Sequence, residues 1–409
     1  MKYLIVIGDG MADNLVPSLG GTPLEYANIP NMDALAGKGI IGSVRTVPET
    51  VPAGSDTAIL SIMGYDPRIY YSGRSPLEAA GSGVKLEDGD VSYRCNMVAL
   101  EDAQKDFSQK VILSHSGGSI DGESSIALLK ALLDDPCFAK LAEENHMAFH
   151  PSPSFRHIAV QKATKIDGLV AVPPHDHLGE IIADYLPKGC QTAEGLCRMM
   201  ALAHQILDAH PINLERRKAG KLPANGIWFW AEGTVTALPS LALKYRKRGM
   251  VVSAVPLVAG IGALAGLDFT SVEGATGELD TNYEGKADAV LESFSKGYDF
   301  AVVHIEAPDE CTHNGDLQGK IEAIEWLDSR CVARLTEGLN ASGEDYRILI
   351  LSDHKTLTST RGHDGDPVPY ILYDSRKLFD GAVYSEKACE HGLFIEEGYT
   401  LIERLFEKI

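Results

Sequence analysis

The chain lacks the features that would direct it to a membrane, a nucleic acid or a nucleotide. No run of its 409 residues approaches the roughly 18 consecutive apolar residues of a membrane-spanning helix, so no membrane partner is expected. The first residues pass straight into an apolar run, without a basic leader segment or a small-residue cleavage site, and a secretory signal is not expected. Positive charge is scarce: 37 Lys and Arg stand against 57 Asp and Glu, for a formal net charge of −20. So acidic a chain repels polyanions. Nucleic acid and anionic lipid are therefore not expected as partners, and any anionic substrate needs a local basic pocket. The seven cysteines form no C-x-x-C pair, which argues against a disulfide framework or a zinc ribbon and for a reducing, cytoplasmic location. No Walker loop occurs. GIGALAG at 260–266 comes nearest to a dinucleotide fingerprint, but its third glycine is displaced by one and it reads as a packing turn. These absences count against a dehydrogenase and a P-loop kinase, and no nucleotide cofactor is expected.

What is present is a set of metal-type ligands split between the two ends. Asp9 follows the apolar run YLIVIG, and Ser55 lies in PAGSDTA. Asp309 and His313 follow VVHIEAP, Asp353 and His354 follow ILILS, and His363 lies in RGHDGDPVPY. A short apolar run that stops at an acid reads as a buried parallel strand with a site at its C-terminal end. Mixed carboxylate and imidazole ligands suit Mn, Zn, Fe or Co better than Ca. Seven such groups suffice for two ions, with the serine hydroxyl as the seventh ligand. Pro308 suggests that the chain leaves the second of these strands as a loop, although Asp309 and His313 at i and i+4 would share one face of a helix.

These ligands all fall before about residue 75 or after about residue 300. If they form one site, the two ends share a domain. The expected organisation is a discontinuous core of 1–75 and 236–409 with an inserted domain of 76–235. The core alternates strands and helices, and 44% of the chain is hydrophobic, enough for a substantial core. The insert reads as α+β. VSYRCNMVAL, FRHIAVQKA, GLVAVPPHD and NGIWFWAEG are expected strands, and GLCRMMALAHQILDAHP is an expected helix stopped by Pro211.

Ser55 precedes the apolar stretch Ala58–Met63, so it can be an ordinary helix cap. It can also be a nucleophile. A free serine hydroxyl attacks poorly at neutral pH, and no His–Asp pair is adjacent in sequence, so a metal would have to lower its pKa. The helix start would favour a phosphate placed there. The insert carries candidate anion binders: Arg156 with His157, His175 with Asp176, and Arg216 with Arg217 in a stretch, RRKAGK, that otherwise reads as a solvated basic loop. Lys286 in TNYEGKADA opposes the dipole of an expected helix start, which hints at a ligand.

Together these residues resemble the alkaline phosphatase superfamily of metalloenzymes, and within it the archaeal-type, cofactor-independent phosphoglycerate mutases. The similar stretches are GDGMAD, PAGSDTA with MGYDP, GRSPLEAA, PPHD, GKLPANGIW, GATGELDTNYEGKA, HIEAPDE, and SDH followed by GHDGDPVPY. They span nearly the whole length. The resemblance implies an alkaline-phosphatase-like α/β core with a mostly parallel central sheet flanked by helices, plus an inserted α+β cap domain. It implies two divalent metal ions, Mn foremost, with Co, Mg and Zn as alternatives. One would be held by Asp9, Ser55, Asp353 and His354, the other by Asp309, His313 and His363. It implies interconversion of 3- and 2-phosphoglycerate in glycolysis and gluconeogenesis through a phosphoserine at Ser55, without bisphosphoglycerate. Asp176 or His157 would handle the substrate hydroxyl protons. Arg156, His175, Lys286, Arg216 and Arg217 would bind the phosphate and carboxylate. The departures are Cys311 and Thr312 in APDECTHNGD, the loop KTLTSTRGH after SDH, and WFWAEGTVTAL without the basic residues of related strands. They leave the ligands intact and put the substrate in question. The alternative is a metal-dependent phosphotransfer enzyme of the same core, a phosphatase or an enzyme like the proposed homoserine kinases.

Overall fold

The structure, a computed structural model, describes residues 1–102 and 104–407. It divides into two compact units, Met1–Tyr71 with Ala237–Ile409, and Ser72–Thr236.

The first unit is built on an eight-stranded sheet. Its order is Leu393–Ile395, Ile40–Val44, Val368–Asp374, Tyr346–Leu351, Lys2–Gly8, Phe300–Ile305, Gly249–Val252 and Asp268–Thr270. Every neighbouring pair is parallel except the two made by Val368–Asp374, which runs against both its neighbours. The three central strands, Tyr346–Leu351, Lys2–Gly8 and Phe300–Ile305, are buried at every position. Such strands need apolar side chains on both faces, which explains their unbroken apolar runs. Leu4, Val6, Val303 and Ile350 share one core with Met32 of helix Pro30–Ala36, Val290 of helix Tyr283–Ser295 and Ile324 of helix Leu317–Trp326. This is the expected α/β, mostly parallel architecture. Among the described residues no helix is long and apolar enough to cross a membrane.

The second unit is α+β. Val91–Leu100 pairs antiparallel with Ile112–Ser114, Arg156–Gln161 and Gly226–Thr234, and Met147–His150 extends the sheet beyond Arg156–Gln161. Tyr93, Cys95 and Met97 share its core with Leu128 and Leu129 of helix Gly122–Asp134, Phe138 of helix Pro136–Glu144, and Met199 and Met200 of helix Gln191–Asp208.

Several local expectations change for physical reasons. GIGALAG is not a turn. Most of it lies in helix Pro256–Leu264, where Gly262 allows close packing, since a Cβ there would stand 2.6 Å from Val251. GLVAVPPHD forms no regular strand. Pro173 and Pro174 cannot donate to a ladder, and the segment makes only the isolated bridge Val170–Lys188 before a 3-10 turn at Pro174–His177. Pro211 does more than end the preceding helix. It opens another, Pro211–Lys218, so Arg216 and Arg217 lie in a last helical turn rather than a loop. The exit of Phe300–Ile305 is likewise helical, Ala307–His313, because Pro308 falls in the first turn, where its missing N–H has no partner to lose.

Arg347 ties the far end of the sheet to the C-terminal helix. It is 2% exposed, and its Nε donates to Asp374 at 2.7 Å on the paired antiparallel strand. Its Nη1 donates to the carbonyls of Leu405 at 3.0 Å and of Glu407, meeting acceptors that helix Leu401–Phe406 leaves open. Burial alone would push the Asp374 carboxyl up, but hydrogen bonds from Arg376 and Arg347 hold it well below the usual carboxylate range. Arg347→Met should therefore destabilise the protein by about 3 kcal/mol in urea unfolding at pH 7. Asp374's depressed pKa contributes stability that is present above its unfolded value, near 3.9, and is lost as the pH falls through the folded value. The gap between the two proteins should narrow below about pH 4.

Candidate metal centre

The parallel register of the three central strands decides what meets at their C-terminal ends. Gly8 pairs with Ile305 and Ile7 with Leu351. Asp9, the Ala307–His313 helix, and Asp353 with His354 therefore emerge side by side, the position where open α/β sheets carry ligands. Asp309 and His313 lie one turn apart on that short helix, 3.1 Å between carboxylate Oδ2 and Nε2. His363 comes from the hairpin of Lys355–Leu357 and Gly362–Asp364, in register with Thr356. Ser55 is the first residue of helix Ser55–Ile62. The loop before it is held by Thr57, whose Oγ1 donates to the carbonyls of Pro52 at 2.9 Å and Gly54 at 3.0 Å.

All seven expected ligands meet here. The Ser55 hydroxyl is 3.3 Å from Asp9 Oδ2 and 3.2 Å from His354 Nε2. His354 Nε2 is 3.3 Å from Asp353 Oδ2, and His363 Nε2 is 2.9 Å from His313 Nε2. Two ligand triads emerge, Asp309–His313–His363 and Asp9–Asp309–His354, with the ligand atoms of each within 4.8 Å of one another. Asp309 belongs to both.

The donor chemistry fits metal ions. Asp9 and Asp353 are fully buried, and each gives one oxygen to the protein. Asp353 Oδ1 accepts from the Gly10 and His354 amides at 3.0 and 2.8 Å. Asp9 Oδ2 lies against His304 and Ser55. Among the described residues Asp9 Oδ1 and Asp353 Oδ2 are buried and make no hydrogen bond, with His354 Nε2 3.5 and 3.3 Å from them. Two such oxygens in one place are costly unless a cation satisfies them. Burial, then the charges of Asp353 and Asp309, push Asp9 well above the usual carboxylate range. Asp309 is pushed up by burial, but its bonds to His313 and His363 outweigh this and hold it well below that range. The bond to Asp309 in turn raises His313 to about 9, while burial keeps His354 low. The ring orientations also suit ligation: His313 Nδ1 meets the Arg361 carbonyl at 2.8 Å and His354 Nδ1 the Lys355 carbonyl at 3.2 Å, which leaves Nε2 of each for a metal.

Three supporting features escape a linear reading. His304, inside the apolar run FAVVHI, places Nε2 2.9 Å from Asp9 Oδ2, and burial lowers it to about 4, so it is neutral. Thr356 donates its hydroxyl to Asp309 Oδ1 at 2.6 Å. Lys320, fully buried, pairs with Asp13 at 2.9 Å and donates to the Thr356 carbonyl at 2.7 Å. Only His304 left a signal in the sequence, an imidazole within a buried strand. Lys286 is also buried, in the first turn of helix Tyr283–Ser295. Its ammonium donates to the carbonyls of Thr276 and His304, each at 3.3 Å, and burial lowers it to about 8.

The second unit gathers some of its candidate anion binders and separates others. The Arg156 guanidinium lies over Phe155 and Trp230, 5.2 and 5.7 Å from the ring centres. His175 packs on Trp230 at 5.2 Å and on His115 at 5.9 Å, and Asp176 is 3.6 Å from it on an exposed turn. Arg94, which was not singled out in the sequence, stacks on Trp230 at 4.6 Å and pairs with Glu78. Burial would raise Glu78, but Arg94 foremost, then Arg74 and Arg156, hold it at about 2. The arginine in the buried strand VSYRCNMVAL was the signal available for it.

His157 is placed differently. Its Nε2 meets Ser125 at 3.0 Å, its Nδ1 accepts from the Ser152 amide at 3.1 Å, and burial lowers it to about 4. Arg216 donates to the carbonyls of Gly117 at 2.7 Å, Gly118 at 3.0 Å and Leu222 at 2.9 Å. Arg217 pairs with Asp102 and Asp208. These three side chains are occupied by the scaffold.

Comparison with known proteins gives a consistent picture. Residues 36–213 match the family model described as 2,3-bisphosphoglycerate-independent phosphoglycerate mutase. The chain is 42% identical over 412 aligned positions to a probable 2,3-bisphosphoglycerate-independent phosphoglycerate mutase of Geobacter sulfurreducens, covering 100% of both chains. It is 43% identical to the corresponding enzyme of Methanosarcina barkeri, covering 93% of this chain and 94% of that one. Among solved structures it is similar to a Pyrococcus horikoshii protein (30% identity, TM-score 0.80, 100% and 98% coverage). It is also similar to the cofactor-independent phosphoglycerate mutase of Thermoplasma acidophilum (25% identity, TM-score 0.61, 99% and 98% coverage).

Two outcomes follow for the centre itself. Gly10 has φ +59°, and a Cβ there would stand 2.5 Å from Thr356 Oγ1 and 2.7 Å from Asp309 Oδ1. Gly10→Ala should weaken divalent-ion binding at least tenfold in a chelator-competition titration, as loss of a ligand's supporting contacts does elsewhere. Because His313 must give up a proton to bind metal, apparent affinity should rise about tenfold per pH unit up to near pH 9 in this variant and the wild type alike.

Proposed function

The chain belongs to the 2,3-bisphosphoglycerate-independent phosphoglycerate mutase family, and from that membership we propose that it interconverts 3- and 2-phosphoglycerate through a phosphoserine at Ser55. The observation that carries this reading is the position of the Ser55 hydroxyl, at a helix N-terminus and beside Asp9 and His354 in a cluster that holds two unpartnered buried carboxylate oxygens. Asp9, Ser55, Asp353 and His354 would hold one divalent ion, and Asp309, His313 and His363 a second; the ligand types suit Mn, Zn, Fe or Co, and the family resemblance puts Mn first. Bound there, the ions would supply the positive charge that makes a serine hydroxyl an effective nucleophile and stabilises a phosphoryl group in transfer.

The chain's own groups account for the rest. Ser55 Oγ gives up its proton and forms a bond to phosphorus as the bond from phosphorus to the glycerate oxygen breaks, and that oxygen takes up a proton. The amides at the start of helix Ser55–Ile62 favour the resulting phosphoserine. The second half reverses this from the other glycerate hydroxyl, so no bisphosphoglycerate is consumed. Each half moves one proton at a glycerate oxygen, and we assign it to His175 and Asp176. Burial lowers the His175 pKa, and the unprotonated imidazole is the form that can accept a proton. Arg156, with Arg94 beside it, supplies the positive field that an acidic protein must build locally for an anionic substrate. Lys286 supports the centre through the His304 carbonyl. His157, Arg216 and Arg217 take scaffold roles. The setting is cytoplasmic glycolysis and gluconeogenesis.

Ser55→Ala should lower mutase turnover at least about 10³-fold while leaving the thermal melt unchanged. Quenched wild-type reactions with labelled 3-phosphoglycerate should yield phosphoserine at residue 55. A wild-type protein that is inactive with Mn, Co, Mg and Zn in turn would falsify the mutase reading. Arg156→Ala should raise KM more than it lowers kcat, as expected for a ground-state anion contact.

A further inference from the structure

Asp9 is asymmetric in a way that its role as a ligand does not require. Its Oδ2 is contacted by His304 and Ser55, while its Oδ1 makes no hydrogen bond among the described residues and has only His354 Nε2 near it, at 3.5 Å. A carboxylate can rotate by half a turn about its last bond, so something must hold the two oxygens in this assignment. The His304 imidazole is the group placed to do so, and it is itself held from behind.

His304 is fully buried on strand Phe300–Ile305. Its Nδ1 lies 3.2 Å from the Ser253 hydroxyl, just beyond the end of the neighbouring parallel strand Gly249–Val252. The Ser253 oxygen already accepts the Val255 amide at 3.0 Å. A hydroxyl accepts twice and donates once, so its proton remains free to point at Nδ1, and the Asp9 carboxylate, which only accepts, selects the tautomer in which it does. Nδ1 then accepts, and the ring's one N–H lies on Nε2, aimed at Asp9 Oδ2 at 2.9 Å. The opposite tautomer would turn a lone pair on Nε2 toward a carboxylate oxygen. An imidazolium would set a positive charge beside the seat of the ions. The Lys286 ammonium fixes the same residue from its backbone, donating to the His304 carbonyl at 3.3 Å.

We propose that Ser253 and His304 are positioning residues that fix the orientation of Asp9, so that Oδ2 is bound by the protein and Oδ1 is presented to a divalent ion. The chain Val255 N–H to Ser253, Ser253 O–H to His304 and His304 N–H to Asp9 carries one hydrogen at each link, and no proton has to move for it to act. Its effect is to preorganise one ligand, which raises ion affinity without adding a contact to the ion. This inference rests on the reading of the cluster as a divalent-ion site.

The test has two arms, one of which needs no metal. In metal-free protein labelled with ¹⁵N-histidine, the His304 ring should show a protonated Nε2 and an unprotonated Nδ1, with its signals assigned by their loss in His304→Gln. A protonated Nδ1, in either the neutral or the cationic ring, overturns the proposal. In the second arm, Mn(II) alone is titrated into metal-free protein by calorimetry. Ser253→Ala should bind Mn(II) about tenfold more weakly than wild type, and Ser253→Thr, which keeps the hydroxyl, should recover most of the loss. His304→Leu should lose about 100-fold, and His304→Gln, whose amide can still donate to Asp9, should lose less. Thermal melts establish that each variant is folded, and the two pairs are read independently should one member fail to fold. Wild-type protein that binds Mn(II) alongside a Ser253→Ala variant that binds it equally well overturns the positioning role and leaves the metal site standing. Wild-type protein that takes up no Mn(II) removes the metal reading, and this inference with it.

Discussion

The structure of the centre depends on two carboxylates that are each half satisfied. Asp9 and Asp353 lie at the ends of adjacent parallel strands, fully buried, and each keeps one oxygen that makes no hydrogen bond among the described residues. In a purely structural pair the folded protein would supply amides or a lysine to both oxygens, because an unpaired buried oxygen is among the costliest things a fold can contain. Here cationic side chains are close at hand and directed elsewhere. Lys320 is bound to Asp13 and the Thr356 carbonyl, and Lys286 to the Thr276 and His304 carbonyls.

Around that centre most of the supporting contacts are backbone or hydroxyl groups. The carbonyls of Arg361 and Lys355 orient His313 and His354, the Thr356 hydroxyl holds Asp309, and the Gly10 amide holds Asp353. Neutral partners of this kind fix geometry without competing with an ion for charge. The aromatic and basic cluster of the second unit is built differently. Arg94 and Arg156 lie over Trp230, Arg156 also over Phe155, and Arg94 pairs with Glu78. The net charge of −20 makes such a local concentration necessary.

Much of the centre was legible in the sequence because its ligands stand where a periodic signal stops. Asp9, Asp309 and the Asp353–His354 pair each follow an apolar run, and a buried strand that ends in acid has few structural explanations. The residues that were not legible stand inside such a run or far from any. His304 and Arg94 interrupt buried strands, and their polarity says that a partner exists without saying which. Arg216, Arg217 and His157 show the converse. Basic residue types matched the need for anion binders, but their partners, the Gly117 and Leu222 carbonyls, Asp102 and Asp208, and Ser125, lie at sequence distances that no motif encodes. The prolines misled in a consistent way. Pro308 and Pro211 read as stops, yet each stands in the first turn of a helix, where proline is tolerated.

By itself the sequence determined the α/β class, the chemistry of the ligands and the likeness to a family of phosphoglycerate mutases, because strand period, residue type and motif are local properties. Only the tertiary structure decided which of these groups stand together. It placed Asp309 within reach of both triads, gave Ser55 its carboxylate and imidazole neighbours, and left one particular oxygen on each of Asp9 and Asp353 without a partner. The reason is the register of three parallel strands. A shift of one residue would turn the chain ends to the other face of the sheet and scatter these groups, and no property of any one segment specifies that register.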